Sequence, residues 1–245
     1  MSMMVITEPG GSVARLTAYT DLELRQGLNL LYSLARHADA TVMVDIGANV
    51  GSYTVLAALV PGLTVHAFEP HPKALAGLRE NITRNNLGDR VTVHPYALLD
   101  KEGTATLTSP QRTRELGLAT LAPVALEGKF VKGSQIEVEV KTLDTSPVGD
   151  FDILKMDVEG AELMALHGGE SKIRQCLPAI LAEVQDKRTK PFGYWSERIT
   201  KLLESWGYTA LRITKRDVFF WKRDEHNPAH WYDRKAERCL QFARS

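Results

Sequence analysis

The stretch that most limits the fold runs from Thr41 to Thr54, TVMVDIGANVGSYT. Thr41 to Val44 is β-branched and apolar, as a strand buried on both faces must be. Asp45 closes the run, Gly47 and Gly51 follow, and Tyr53 to Val60 (YTVLAALV) reads as the first turns of an apolar helix. Strand, glycine turn and helix make half of a nucleotide-binding α/β unit. The glycines tolerate positive φ and let a ligand come close to the backbone, and the new helix points unpaired N–H groups into the same space. An ordinary βα turn without a ligand is the competing reading.

Two further features favour a ligand. The order D-x-G-x-N-x-G, from Asp45 to Gly51, is not the dinucleotide fingerprint G-x-G-x-x-G. A second strand, Thr64 to Phe68, ends in Glu69, twenty-two positions beyond Gly47. A carboxylate there accepts hydrogen bonds from both hydroxyls of a ribose. That suits NAD and S-adenosylmethionine (SAM) equally, so Glu69 points to an adenosine ligand without choosing between them.

With VDIGANVGSYT, then FEP at Phe68 to Pro70, then LKMDVEGAE at Leu154 to Glu162, the chain resembles the FkbM family of class I SAM-dependent methyltransferases over residues 42 to 221. The combination is specific, whereas the glycine turn alone is not. The resemblance implies an α/β, Rossmann-like fold: a mostly parallel seven-stranded sheet, helices on both faces, and a C-terminal antiparallel hairpin. It also implies SAM as cofactor, and a loop after the third strand around the adenine. The donor-site candidates are Asp45, Gly47, Asn49 and Gly51 in the turn, Glu69 and Pro70 at the second strand, Tyr96 and Ala97 in the adenine loop, and Asp157.

Composition narrows the classes. The chain has 245 residues, enough for one substantial α/β domain. Its 30 basic and 30 acidic side chains cancel, and no basic block argues for nucleic acid as a partner. Cys176 and Cys239 are too far apart for a metal knuckle or a disulfide framework, so a reduced, cytoplasmic protein is expected. MSMMVITEPGG lacks the pattern of a signal peptide, and no apolar stretch is long enough for a membrane span.

Residues 1 to 40 are expected to form an arm or short edge strand, then a helical cover over Asp21 to His37, which Gly27 weakens or divides. Residues 41 to 221 form the methyltransferase domain, and 222 to 245 a tail whose Glu237, Leu240 and Phe242 place it on the domain surface or on a partner subunit. Pro70 and Pro72 open the helix after Glu69; Asn85, Asn86 and Gly88 end it. Arg90 to His94 is the third strand. Ser109 to Ser134, rich in Gly and Pro, is too long for a structureless loop; it is either a short hairpin or a lid over the acceptor pocket. Ile136, Val138 and Val140 alternate with Glu137, Glu139 and Lys141, the mark of a half-exposed strand.

The reaction site is expected at the end of the fourth core strand, Phe151 to Met156, beside strand one across the topological switch. The catalytic candidates are Asp157, Glu159 and Lys155. Asp157 or Glu159 takes a proton from an alcohol as its oxygen attacks the methyl carbon, or the two hold Mg²⁺, which lowers the hydroxyl pKa. No third metal ligand is evident in the sequence; His94 or His167 would join only by tertiary accident. Lys155 either pairs with an acidic neighbour, orients the acceptor, or is an ordinary sheet-facing lysine. Glu162 reads as a helix cap. The resemblance implies that the end of the fifth strand, PAILAEV, helps line the acceptor side, which makes Glu183 a secondary candidate; Lys187, Arg188 and Lys190 are either anion-attracting or solvated. His226 and His230 make no zinc motif.

The leading expectation is a SAM-dependent O-methyltransferase acting on a small hydroxylated metabolite or sugar-like acceptor, with a homo-oligomer left open. The resemblance, more than side-chain chemistry, favours oxygen over nitrogen. An NAD-dependent Rossmann oxidoreductase is the enzyme alternative, although the middle glycine and a Ser-Tyr-Lys set are missing. A noncatalytic adenosine-binding protein is the third reading; it would tolerate loss of Asp157.

Overall fold

The computed structural model describes residues 5–7, 13–15, 22–58, 60–110, 119–122 and 133–231. In chain order these form β1 (Val5–Thr7), β2 (Val13–Arg15), α1 (Leu22–His37), β3 (Val42–Ile46), α2 (Ser52–Ala58), β4 (Thr64–Phe68), α3 (Pro72–Arg84), β5 (Val91–His94), β6 (Ala97–Leu98) and β7 (Gly103–Pro110). They continue with β8 (Gly133–Lys141), β9 (Ile153–Met156), α4 (Glu162–Gly168), α5 (Glu170–Cys176), β10 (Ala179–Glu183), α6 (Asp186–Thr189), α7 (Glu197–Ser205), β11 (Thr209–Arg212) and β12 (Asp217–Trp221).

Seven strands make the main sheet in the order β11-β12-β10-β9-β3-β4-β5. Every neighbouring pair from β10 to β5 is parallel, whereas β12 runs antiparallel to both β10 and β11. This is a mixed, doubly wound, Rossmann-like sheet of seven strands, the architecture the resemblance implies. The topological switch falls between β3 and β9, where one half of the sheet winds away from the other.

The central strands are apolar because both their faces are covered. Met43, Val65, Ile153, Leu181 and Phe219 pack under α1, α2 and α3 with Leu34, Val55 and Leu78. Val44, Ile46, Leu154, Met156, Ile180 and Phe220 pack on the opposite face under α4, α5 and α7 with Leu166, Ile173 and Leu203. The side-chain period of two therefore carries Asp45 and Lys155 to the first of these faces, beneath the ring of Tyr53 in α2.

Two expectations needed revision. Helix α1 is not divided at Gly27; it runs unbroken from Leu22 to His37. Gly27 faces α2, and a Cβ there would collide with the Tyr53 hydroxyl, so the glycine serves helix–helix contact. Among the described N-terminal residues, β1 and β2 pair with each other antiparallel as a separate ribbon and not with the main sheet.

A smaller sheet, β6-β8-β7, stands apart from the main one. Strands β7 and β8 pair antiparallel from Gly103↔Val140 to Pro110↔Gly133, so residues 111–132 connect the arms of a long hairpin. Val138 and Val140 are buried while Glu137 and Glu139 are exposed, as their alternation requires. Within the connection, Thr120 bridges Thr108. Most of the 109–134 segment lies outside the described residues, as do Glu237, Leu240 and Phe242 of the tail. Trp231, where the described chain ends, meets Phe219 edge-on at 5.9 Å.

Candidate active site

The glycine turn is held from beneath by charge. On adjacent parallel strands Asp45 lies directly opposite Lys155. The Lys155 ammonium is 3.2 Å from Asp45 Oδ1, and the two side chains are 5% and 0% exposed. The other carboxylate oxygen accepts from the Thr54 hydroxyl at 2.6 Å, while Lys155 donates to the Gly47 carbonyl at 3.0 Å. Burial opposes charge on Lys155, but Asp45 and Asp157 more than offset it and hold its pKa above the ordinary value. The ammonium is thus committed to the underside of the turn.

From above, the Gly47 and Ala48 amides both donate to the Phe68 carbonyl at 3.0 Å. Gly47 has φ +78°, and a Cβ there would fall onto the backbone oxygen of Asp157. No other residue fits. Asn49, at φ +51°, turns its amide onto Glu69 Oε2 at 2.7 Å. The second Glu69 oxygen accepts from the His71 amide at 2.8 Å. Burial lifts the Glu69 pKa to about 7 against the pull of these two N–H groups. Each oxygen keeps a lone pair for a further donor.

A cavity opens over this turn. Gly47, Asn49, Glu69 and Pro70 form one side, Phe68, Tyr96, Ala97 and Leu98 another, and Asp157, Val158, Glu159 and Ala161 a third. Leu107 of β7, with Ala119 and Leu121 of the hairpin connection, completes the wall. The aromatic side is built from His94 stacked on Phe68 at 4.3 Å, with Tyr96 edge-on to Phe68 at 5.5 Å. Burial lowers the His94 pKa to about 4, which keeps the ring neutral in this stack. Gly51, at φ +95° where α2 starts, is not among the lining residues; a Cβ there would meet Leu78.

The acidic turn after β9 forms the remaining side. Glu159 is in the left-handed region at φ +53°, an unusual position for this residue. Its carboxylate meets Arg188 at 2.7 Å, and Thr120 donates its hydroxyl to the Glu159 carbonyl at 3.1 Å. Burial and the adjacent Asp157 push Glu159 up to about 8. Glu162 does not cap its helix outward; it is buried and accepts from the Val158 and Gly160 amides at 3.0 and 3.3 Å. Burial raises it to about 7.

Asp157 follows Met156 and Glu183 follows Ala182, and Met156 pairs with Ala182 across β9 and β10. The two acids therefore stand side by side at one sheet edge. With Glu159 they bring one carboxylate oxygen each to within 4.8 Å of one another. This supplies the third acid that spacing alone did not reveal. His94 and His167 are not part of the group. Burial, then Asp157 and Glu159, lift Glu183 to about 9.

Sequence reasoning missed several contributors. Leu107, Ala119 and Leu121 reach the cavity through the hairpin, which carries no local ligand signal. His71 caps α3: its Nδ1 accepts from the Lys73 amide at 3.1 Å, so its Nε2–H donates to Ser109 at 2.9 Å. Its only local signal is a polar residue just before Pro72. Lys190 lies 3.9 Å over the Trp195 ring, away from the Arg188 contact.

The methyltransferase FkbM domain model matches residues 45–210, about two thirds of the chain. The chain belongs to the FkbM methyltransferase family. It is a SAM-dependent methyltransferase, and Gly47, Asn49 and Glu69 line the cavity over its glycine turn. The 31-O-demethyl-FK506 methyltransferase FkbM of Streptomyces tacrolimicus is 29% identical over 215 residues, covering 77% of this chain and 79% of that protein. Methyltransferase 1 of Beauveria bassiana (strain ARSEF 2860) is 26% identical over 206 residues, covering 76% and 79%. The crystal structure of methyltransferase FkbM from Methylobacillus flagellatus KT matches the fold with a TM-score of 0.51 at 20% identity, over 75% of this chain. The match spans 44% of that longer chain. No helix among the described residues is long and apolar enough to cross a membrane.

Proposed function

We propose that this methyltransferase acts on a hydroxyl oxygen of a small hydroxylated molecule. The observation that carries this reading is the position of Asp157 and Glu159, which share the cavity wall with Gly47 and Glu69. A donor whose ribose lies on Glu69 and whose adenine lies by Tyr96 and Ala97 presents its sulfonium toward these acids. The turn residues Asp45, Gly47, Asn49 and Gly51 shape the donor seat, and Pro70 borders it.

Transfer forms a carbon–oxygen bond as the carbon–sulfur bond breaks, with the electron pair passing to sulfur. The hydroxyl proton leaves toward the acidic cluster. Most of the rate comes from holding oxygen, methyl carbon and sulfur in line, and from charge already in place. Asp157, with its side chain open to the cavity, guides or activates the acceptor. Glu159 is restrained by Arg188 and shapes the same wall. Lys155 acts through the Gly47 carbonyl as a positioning residue. The relative from Streptomyces tacrolimicus is named for 31-O-methylation, which supports oxygen as acceptor atom. Ala119 and Leu121, the described residues of the hairpin connection at the cavity wall, support an acceptor-side role for that stretch. The wide cysteine spacing supports a reduced, cytoplasmic setting.

The test is SAM-dependent mass gain across a panel of hydroxylated and amine acceptors, with Asp157→Asn beside the wild type. The variant is expected to keep affinity for the demethylated product S-adenosylhomocysteine and to lose about 10²–10⁴-fold in kcat. Equal turnover would remove the role given to Asp157, and transfer confined to amines would overturn the oxygen assignment.

A further inference from the structure

We infer that Asp157, Glu159 and Glu183 form a site for one hard divalent cation, of the Mg²⁺ or Mn²⁺ class, that receives the acceptor's hydroxyl oxygen. This rests on the methyl-transfer reading and specifies how its acceptor side works.

Three acids from two strand ends and one turn bring an oxygen each to within 4.8 Å of one another. Oxygens on opposite sides of Mg²⁺, each at about 2.1 Å, lie about 4.2 Å apart. Of three ligands only one pair can lie opposite and the other pairs stand about 3.0 Å apart, so the carboxylates close on such an ion by turning about their side-chain bonds.

Acids often gather on surfaces without an ion, and Glu183 is what separates this group from those. Its residue is 6% exposed. Gln185 donates to Oε1 at 2.7 Å and so fixes the carboxylate's orientation. The other oxygen, Oε2, is buried with no hydrogen-bond partner among the described residues. A buried carboxylate oxygen without a partner has lost its water and gained nothing in exchange, and a cation shared with Asp157 supplies that partner. The Gln185 contact is also what a metal-binding carboxylate needs from its outer shell.

The cations already in place leave this demand unmet. Lys155 is engaged by Asp45 and the Gly47 carbonyl, behind the turn. Arg188 meets Glu159. Asp157 is exposed on the cavity side, so a bound ion keeps coordination positions open for water and for the acceptor. Hard oxygen-ligated ions commonly bind through a few carboxylates and retain such positions. An acceptor hydroxyl in one of them loses its proton more readily.

The experiment is Mn²⁺ titration of the full chain, followed by electron paramagnetic resonance and calorimetry, with Mg²⁺ as competitor. Wild-type protein should take up one Mn²⁺ per chain, displaced by Mg²⁺. Glu183→Gln and Asp157→Asn should each weaken uptake by about tenfold or more, while Glu80→Gln, in an exposed helical pair far along α3, should not. Asp157→Asn alters an exposed side chain and carries the test if Glu183→Gln fails to fold. Lack of saturable Mn²⁺ uptake, or uptake that both site variants leave unchanged, overturns the cation site. S-adenosylhomocysteine affinity is measured on the same samples. If it is intact without Mn²⁺ uptake, the cation site falls and the methyl-transfer reading stands; if the product does not bind either, that reading falls first.

Discussion

Replacing Lys155 by Met isolates the contribution of the buried pair beneath the glycine turn. Asp45 is fully buried, and its counter-charge is the Lys155 ammonium 3.2 Å away. Loss of one partner of such a pair typically destabilises a fold by about 3–5 kcal/mol, because the remaining charge stays buried. The Thr54 hydroxyl still donates to Asp45, but it does so in the wild type too and offsets nothing new. The Gly47 carbonyl loses its hydrogen bond as well, a further ~1 kcal/mol. Against a total stability of about 5–15 kcal/mol, the single variant should remain folded but marginal. With a urea slope of about 2–3 kcal/mol per molar, its midpoint falls by about 1.3–3 M. The double variant Asp45→Asn with Lys155→Met removes both charges and should recover at least about 2 kcal/mol, a coupling measurable as a double-mutant cycle. Equilibrium urea unfolding followed by circular dichroism reads both numbers. A Lys155→Met cost below about 1 kcal/mol, or a double variant no more stable than the single, would refute the assignment of Lys155 to the turn. A loss of kcat at unchanged stability and donor affinity would return Lys155 to the chemistry.

Glu69→Gln should weaken S-adenosylhomocysteine binding by about 10–100-fold in calorimetry, or about 1.5–3 kcal/mol. A carboxamide has one oxygen, whereas the two amides of Asn49 and His71 each need an acceptor; unchanged affinity would contradict the ribose role. Gly47→Ala should cost about 2 kcal/mol or more in thermal unfolding and abolish donor binding, since φ is +78° and the new Cβ meets the Asp157 carbonyl. Without donor or cation, stability should fall as pH rises from about 4.5 toward 9. The folded state holds protons on Glu69, Glu162, Glu159 and Glu183 up to about 7, 7, 8 and 9, after the unfolded chain has lost them. Melting temperature against pH checks the sign, and Glu183→Gln should flatten the decline.

The sheet was legible because its signals are local. A run such as VMVDI must be a buried strand, and a glycine turn leading into an apolar helix fixes the strand's direction and its C-terminal edge. The parallel neighbours then follow from short crossovers of known hand. What remained illegible came from longer range. Gly27 looks like a helix breaker because its cost is local, whereas its reason, the Tyr53 hydroxyl, belongs to another helix. Leu107 and Leu121 enter the cavity wall only because β7 and β8 pair over their full length. Hairpin register of that kind is set by pairing partners, which spacing does not name.

The carboxylates show where sequence reading stops, since the same chemical group has met three different fates. Asp45 faces a lysine on the neighbouring strand and becomes a buried ion pair. Glu69 and Glu162 face backbone amides and become braces for turns. Asp157, Glu159 and Glu183 face one another. Sequence places each acid at a strand end or turn, and the family pattern marks some as functional. Neither says which opposing group arrives, because that depends on the register of β3 with β9 and of β9 with β10. Shifting the second register by one residue would reverse the face on which each side chain points and separate Glu183 from Asp157. The acidic cluster is therefore specified by how two apolar strands, ILKM and AILAE, align in the core.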